Sequence, residues 1–362
     1  MSDIMEYKCP ACGGAMEFDS KSQKMKCPYC DTEMEVAEFQ KLQGEETGST
    51  GGAAEEWQAA SDGQWKEGET DGIRIYACES CGGEIVADES TAATNCPFCG
   101  NKIVMKGQFA GDLRPDYIIP FKLDKKDAKN AYLKHLSGKS FLPKVFRDQN
   151  HIDEIKGVYV PFWLFDADVD ADIEYNAVKT RIWESGDTEY TEHSYYKAER
   201  GGKVSFQRIP TDGSKKMDDT LMESIEPYKF EEAVPFAPAY LAGYMADRYD
   251  VAMEERMQCA KERIRYSAES AFQDTVTGYT SVNVENSQVV MSDVKYLYAL
   301  YPVWLLNTTW NGEKFTFAMN GQTGRMVGDL PLDKGAFWRF VATRGIAIGA
   351  ILYALMWIFV ML

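Results

Sequence analysis

Histidine is nearly absent, with three in 362 residues. Little remains for Cys–His or Ser–His nucleophile pairs, and neither a nucleophile elbow nor an HExxH motif occurs. A phosphate-binding loop is missing as well. It requires G-x-x-x-x-G-K-[ST], and the nearest approach, Gly138-Lys139-Ser140, has Leu133 where the first glycine must stand. Positive charge is short: 39 Lys and Arg face 56 Asp and Glu, a formal net charge of −17. Residues 1–111 alone carry 20 acidic against 9 basic side chains. Such a surface repels phosphate backbones, so nucleic acid is disfavoured as a partner. Met1 to Tyr7 has neither a basic n-region nor an apolar h-region, so no signal peptide is expected.

Cysteine is sparse but ordered. Eight of the nine fall into one arrangement written twice, C-x2-C-x14-C-x2-C. The first copy is Cys9, Cys12, Cys27 and Cys30, and the second is Cys78, Cys81, Cys96 and Cys99. Four thiolates in two close pairs can close a tetrahedral shell on one Zn²⁺. Glycines beside the pairs (Gly13-Gly14, Gly82-Gly83, Gly100) suit turns that need positive φ. Disulfides or redox C-x-x-C thiols are the alternative, and two evenly spaced quartets weigh against both. The expectation is two structural zinc sites. A closed shell has no open position, so it holds a fold and activates no water. Each four-thiolate site adds a further charge of about −2. Thiols kept free for metal suit a reducing compartment. Cys259 is left over, inside an expected helix, and reads as a buried free thiol.

Gly345 to Leu362 is an 18-residue run without a charge. At 1.5 Å per residue it reaches about 27 Å, close to the ~30 Å of a hydrocarbon core. Arg344, Arg339 and Lys334 precede it and nothing charged follows. The reading is a transmembrane helix contacting the lipid bilayer through residues 345–362. The basic flank keeps the N-terminal bulk in the cytoplasm of a single-pass cytoplasmic-membrane protein. A buried core helix is the alternative, disfavoured by apolarity all round the helix. A tail anchor, or the first half of a hairpin, fits the run's position.

The expected class is α+β: two small four-cysteine zinc ribbons, a β-rich α+β domain with one long helix, and a C-terminal transmembrane helix. The boundaries are 1–39 for the first ribbon, 40–72 for a flexible linker, and 73–106 for the second ribbon. The α+β domain takes 107–335 and the anchor 336–362. Short strands flank the first knuckles at Tyr7–Cys9, Ala15–Phe18, Lys24–Cys27 and Glu33–Val36. The linker run GEETGSTGG has no apolar periodicity. Trp57 and Trp65 after it suit contact with a ribbon or, as the sharper alternative, a docking motif.

Within the large domain, Asp124 N-caps an expected helix through Leu136, beside which His135 reads as structural. Ile152 to Arg208 is largely period two. From Asp166 to Tyr175, Ala167, Val169, Ala171, Ile173 and Tyr175 alternate with five acidic residues. Side chains on one strand face are about 6.6 Å apart, too far for a compact Ca²⁺ shell. A solvated face answered by Lys179, Arg181, Lys197, Arg200 and Lys203 is the reading. Residues 211–246 are broken by Pro227, Pro235 and Pro238, and Asp247 to Phe272 suits the longest soluble helix. Strands return after Gly278, with turns at Asn311-Gly312 and Asn320-Gly321. Pro161-Phe162-Trp163-Leu164-Phe165 echoes Pro302-Val303-Trp304-Leu305-Leu306, each opening a strand. An internal duplication and chance likeness of two core strands both fit.

The stretch YACESCGGEIVADESTAATNCPFCGNKIV carries a family resemblance. So do Arg114–Phe121, Ser140–Pro143, Val160–Phe165, Tyr301–Trp304, and Asn320–Gly324 through Gly328–Pro331. From about residue 73 to the C-terminus the chain resembles the YdjG-like bacterial TFIIB-type zinc-ribbon membrane proteins. These are often labelled as relatives of the helicase PriA, but the missing phosphate loop removes ATP hydrolysis here. The resemblance implies envelope-stress work beside an SPFH-type membrane scaffold and a phage-shock-type peripheral protein. It also implies room for more than one C-terminal span, whereas this sequence shows one.

The functional expectation is a membrane-anchored, cytoplasm-facing adaptor whose ribbons dock protein partners, with no enzymatic activity. A membrane-tethered nucleic-acid-associated ribbon protein is the alternative, and would need a basic, aromatic-studded ribbon face. An enzyme would need a third metal site or a nucleophile pair.

Overall fold

The computed structural model describes residues 9–12, 14–43, 58–59, 63–65, 69–70, 73–88, 95–108 and 113–361. Tyr7, Lys8, Gly13 and Trp57, and the whole Gly44 to Gly52 run, lie outside them. The class is α+β and strand-rich, as the composition of motifs implied.

The first ribbon holds β1 (Glu17–Asp19), β2 (Lys24–Lys26) and β3 (Glu33–Met34) in one antiparallel sheet. Phe18 and Met25 face each other on its buried side. The strand expected through Val36 stops at Met34. Helix α1 (Val36–Gln43) takes over, because Val36 and Phe39, three residues apart, both reach the core. Next come β4 (Gln58–Ala59), β5 (Ile73–Ala77), β6 (Glu84–Asp88) and β7 (Val104–Gln108). These last three bracket the second cysteine quartet.

The large domain opens with β8 (Tyr117–Ile118) and α2 (Lys125–His135). Asp124 caps α2 as expected: its side chain accepts from Asp127 N at 2.8 Å and Asp127 answers in a capping box. Short helix α3 (Gln149–Ile152) precedes β9 (Lys156–Ser185) and its hairpin partner β10 (Thr188–Asp212). Helix α4 (Asp219–Ser224), β11 (Val234–Pro235) and β12 (Met245–Asp247) fill the proline-broken stretch. Helix α5 (Met253–Gln273), β13 (Ser281–Trp310), β14 (Glu313–Asn320), β15 (Met326–Val327) and α6 (Lys334–Met361) complete the chain.

The long helix therefore begins at Met253 and not at Asp247. Met245 and Ala246 pair in parallel with β9, and Asp247 ends that strand, buried. Ala260, Ile264 and Ala268 are the face that α5 buries. Neither Pro161 nor Pro302 opens its strand; each lies well inside one. Pro161 O accepts from Gly213 N (2.7 Å) and Pro302 O from Gly321 N (2.8 Å). A residue's N–H and C=O point to the same side of a strand, so each missing N–H lies on the outer side too. Outside β9 the neighbour changes there from β12 to β10, and outside β13 from β8 to β14. The prolines occupy the two gaps, and the ladder between β9 and β13 loses no bond.

That pairing exposes a local two-fold axis at the facing pair Val160 and Tyr301. Around it β12–α5–β13–β14 repeats β8–α2–β9–β10. Tyr117 and Ile118 pair in parallel with Ala299 and Leu300, as Met245 and Ala246 do with Val158 and Tyr159. Asn320 faces Val303 as Asp212 faces Phe162. On the outer flanks β11 lies against β8 as β6 lies against β12. The echoed Pro-x-Trp phrases are the equivalent central strands of two half-domains.

The period-two reading of the acidic stretch holds. Ala167, Val169, Ala171, Ile173 and Tyr175 are buried beneath α5, while Asp168, Asp170 and Asp172 are exposed. Of the cations expected to answer the row, Lys203 reaches Asp170 (3.8 Å), whereas Lys197 turns to Glu285 (3.2 Å). Arg208 takes Asp166, and Ser205 Oγ donates to Asp168. Asn311-Gly312 makes the two-residue β13–β14 turn, with φ 53° and 83°. The second turn is longer: Asn320 Oδ1 accepts from Gln322 N and Thr323 N before β15 begins.

Candidate metal centres

All four cysteine pairs use one turn. The first cysteine N–H donates to the carbonyl five residues on: Cys9 to Gly14 (2.7 Å), Cys27 to Thr32 (2.9 Å), Cys78 to Gly83 (2.9 Å) and Cys96 to Asn101 (2.6 Å). The residue after the second cysteine turns left-handed at Asp31 (φ 55°), Gly82 (69°) and Gly100 (76°). Asp31 shows that the turn tolerates a short polar side chain where the sequence suggested glycine. Gly14 and Gly83 are needed for space: a Cβ would lie 2.6 Å from the Tyr29 ring and 3.0 Å from the Phe98 ring.

These turns bring the sulfurs together. In the first quartet Cys9 Sγ is 3.5 Å from Cys30 Sγ, and Cys12 Sγ is 3.5 Å from Cys27 Sγ. In the second the equivalent separations are 3.4 Å (Cys78 to Cys99) and 3.6 Å (Cys81 to Cys96). All four Sγ atoms of each group lie within 4.8 Å of one another, so each group can hold a metal ion. A tetrahedron with metal–sulfur bonds of 2.3 Å has edges of about 3.8 Å, so the sulfurs fit a tetrahedral ion with little movement. The cysteines are free thiols, which removes the disulfide alternative for them. Among the described residues, these two groups alone gather three or more candidate metal ligands. The acidic row on β9 forms no such group.

Packed thiols do not ionise alike. The Thr32 hydroxyl and N–H pull Cys30 down to about 6. Burial opposes ionisation of Cys99, but the Asn101 N–H and the neighbouring sulfurs outweigh it and leave about 7. Cys12 accepts from Gly14 N–H, yet its neighbours Cys30 and Cys27 push it up to about 12. Burial raises Cys96. In each ribbon the fourth cysteine is shifted toward the thiolate and one of its neighbours away from it. Binding a cation releases the remaining protons, so affinity falls in acid.

The two centres differ in setting. Phe98 in the second is 4% exposed, whereas its counterpart Tyr29 in the first is 76% exposed. Cys78, Cys96 and Phe98 share a core with Val158, Val160 and Phe162 of β9. Lys156 Nζ donates to Asn95 O (2.6 Å) and Lys216 Nζ to Cys81 O (3.0 Å). Asn307 and Lys314 donate to Pro97 O and Phe98 O. Knuckle spacing cannot reveal these four donors, because they come from far along the chain and meet the ribbon only after the sheet forms. Three of them are cations placed beside a centre that carries net negative charge when filled. Burial holds the Lys156 amine below its usual value, with the cysteines acting in the opposite sense.

The first ribbon rests elsewhere on the same domain. Phe18 meets Tyr240 edge-on (5.1 Å), Gln23 Nε2 donates to Phe121 O (2.7 Å), and Lys21 pairs with Asp124 (2.7 Å). Cys12, Cys30 and Tyr29 remain exposed.

Parts of the stretch between the ribbons are pinned. Gln58 and Ala59 pair with β13. Buried Glu69 takes a two-point bond from Arg114 (2.6 and 2.7 Å). Trp65 meets Phe236 edge-on (5.7 Å), so it lies against the α+β domain and not a knuckle. Cys259 is half-buried, less enclosed than expected, and burial raises its pKa. The three histidines have structural partners: His135 with Gly328 O, His151 with Glu154 and Thr308, and His193 with Thr180.

Helix α6 has 28 residues, about 42 Å at 1.5 Å each. Its stretch Lys334–Tyr353 is long and apolar enough to cross a membrane, and none of it is buried against the rest of the chain. A soluble core helix would be covered, so α6 is a candidate membrane span.

No family model matches the chain, and no solved structure does. The chain is 34% identical over 332 residues to the uncharacterized protein YdjG of Bacillus subtilis (strain 168), an alignment that covers 92% of each. Two cysteine centres seated on a duplicated sheet and an unburied apolar helix are thus features of a member of the YdjG family, to which this chain belongs.

Proposed function

We propose that this protein is a membrane-held zinc adaptor that acts through its ribbons and not through catalysis. The observation that carries this reading is the pair of four-sulfur centres. Four sulfurs at tetrahedral spacing leave no position for water or substrate, which suits structural Zn²⁺ in a TFIIB-type ribbon. Thiolate donors favour Zn²⁺ over the oxygen-seeking cations. Helix α6 supplies the anchor. Lys334, Arg339 and Arg344 ahead of the apolar run favour a cytoplasmic domain.

The second ribbon is built into the sheet, so it serves as a structural corner. The first keeps an open knuckle with Tyr29 at its tip, and this is the docking surface for a protein partner at the membrane. Tethering raises the effective concentration of such a partner, so a modest contact suffices. Work in envelope stress beside an SPFH-type scaffold and a phage-shock-type protein is the proposed setting.

The test is co-purification from native membranes with metal analysis. The intact protein should carry about two zinc ions and retain a membrane scaffold. Tyr29→Ala should keep both ions and release the scaffold. An unchanged partner set would place recognition in the α+β domain, and a metal other than zinc would remove the ribbon reading.

A further inference from the structure

The chain is acidic, yet two of its segments that meet in space are not. Residues 137–147 hold Lys139, Lys144 and Arg147 and no Asp or Glu. The first three turns of α6 hold Lys334, Arg339 and Arg344, again without an acid. All six cations are exposed, and none has a carboxylate partner among the described residues. The two segments are distant in sequence and joined in space. Asp333 N donates to Phe141 O (2.8 Å). The Phe141 ring meets Phe337 at 5.5 Å and Phe340 at 5.1 Å, both edge-on. Arg147 Nη2 donates to Lys139 O (2.8 Å), which closes the loop on itself.

Phe141 holds φ 63°, a left-handed conformation that a bulky side chain adopts only when its surroundings impose it. Here the conformation seats the ring against α6. The clamp fixes where the loop stands along that helix. Phe340 lies five residues before Gly345, about 7.5 Å of rise. That is within a Debye length, ~10 Å at moderate salt, of the point where the uncharged run begins. Trp338, 66% exposed, lies in the same turns, where amphipathic rings favour a membrane interface.

We propose that the loop 137–147 and the start of α6 form a basic collar that binds the anionic phospholipid headgroups of the membrane that α6 enters. The inference rests on the reading of α6 as a span. The chain as a whole carries a net charge of −17, so a cluster of unpaired cations beside the span draws this end of the domain to an anionic bilayer. Each such cation contributes roughly a fivefold preference for an anionic surface. The SFLP phrase of the sequence then has a role: Phe141 locks the loop to the helix, and the lysines on either side face the headgroups.

The test uses the full chain in lipid discs of phosphatidylcholine, with or without phosphatidylglycerol, read by amide hydrogen exchange. Protection of 346–353 in both discs reports insertion of α6. Protection of 137–147 that appears only with phosphatidylglycerol is the expected result. It should weaken about fivefold per cation in Lys139→Gln and Lys139→Gln/Lys144→Gln, whose sheet amides must stay protected as a check of folding. Insertion with equal protection of the loop in both discs overturns the collar and leaves the span standing. Loss of protection at 346–353 in both discs overturns the span, and the collar with it. The same loop protection from inorganic phosphate on phosphatidylcholine discs makes it a soluble-anion site and also overturns the proposal.

Discussion

Trp163 and Trp304 make the same bond from equivalent places. Trp163 Nε1 donates to Val251 O and Trp304 Nε1 to Leu123 O, both at 3.0 Å. Each acceptor lies two residues before a helix, α5 or α2. Each tryptophan sits three residues beyond its member of the Val160–Tyr301 pair. The indoles thus tie each central strand to the entry of the opposite half's helix. The domain is two interlocked halves, and neither can keep its helix in place without the other's strand.

Replacing either indole by phenylalanine tests that relationship. Trp163→Phe and Trp304→Phe each keep an aromatic in the core and take the indole donor from one carbonyl, buried at Val251 and part-buried at Leu123. The expected loss is about 1–3 kcal/mol for each, by chemical denaturation. The two losses should agree within about 1 kcal/mol, because the two bonds are equivalent under the local two-fold, with the larger loss at Trp163, whose bond is the more buried. A loss at one position alone would show that the duplication is geometric without being energetic.

The ribbons predict an asymmetry. Phe98 and Tyr29 occupy matching places, but one is sealed against β9 and the other is open. Phe98→Ala should destabilise by about 3–5 kcal/mol. Tyr29→Ala should change stability by no more than about 0.5 kcal/mol. Thermal unfolding of the two variants checks both values. Equal losses would mean that Tyr29 is covered in solution.

Much of this was legible in the sequence, for a reason that differs by element. The eight cysteines were readable because metal geometry fixes their spacing locally. Asp124 was readable because a cap acts over three residues. The β9 face was readable because Ala167 to Tyr175 alternate over one strand. What stayed hidden depends on distant pairing. Asp247 looks like the start of a helix until Met245 and Ala246 are seen beside β9. Lys156, Asn307, Lys216 and Lys314 carry no motif, since their acceptors are carbonyls on another part of the chain. Pro161 and Pro302 read as strand openings because the gap that admits them belongs to the neighbouring strands.

Metal removal should separate the two centres. Cys12→Ser removes an exposed ligand from the first, and Cys96→Ser a buried one from the second. Metal content should fall from about two ions to about one in each case. The melting temperature should fall further for Cys96→Ser, because the strands around that site belong to the large sheet, whereas those of the first site form a separate three-stranded one. Its loss loosens β5, β6 and β7 within the large sheet, whereas loss of the first site loosens, among paired strands, only β1, β2 and β3. The order should repeat under chelation, with the first centre emptied before the second. Coincident loss of both ions would show that they are coupled through the domain.

Asp247 predicts a pH dependence of its own. It is 3% exposed, and its Oδ2 has no hydrogen-bond partner. The equivalent position in the other half is Ile119, whose backbone pairs with β13. Burial pushes the Asp247 carboxyl up to about 8, although Ser214 hydrogen-bonds it, and Asp250 nearby adds to the rise. Unfolded, the group titrates near 3.8. Between about 4 and 8 the unfolded chain has released this proton and the folded chain still holds it. Stability therefore falls as pH rises through that window, by up to about 1.4 kcal/mol per unit. The favourable contribution is fully present below pH 4. Asp247→Asn keeps the shape and removes the titration, so denaturation at a series of pH values should lose that slope. A slope unchanged in Asp247→Asn would place the titration elsewhere, with buried Asp212, raised to about 6, as the next group to replace.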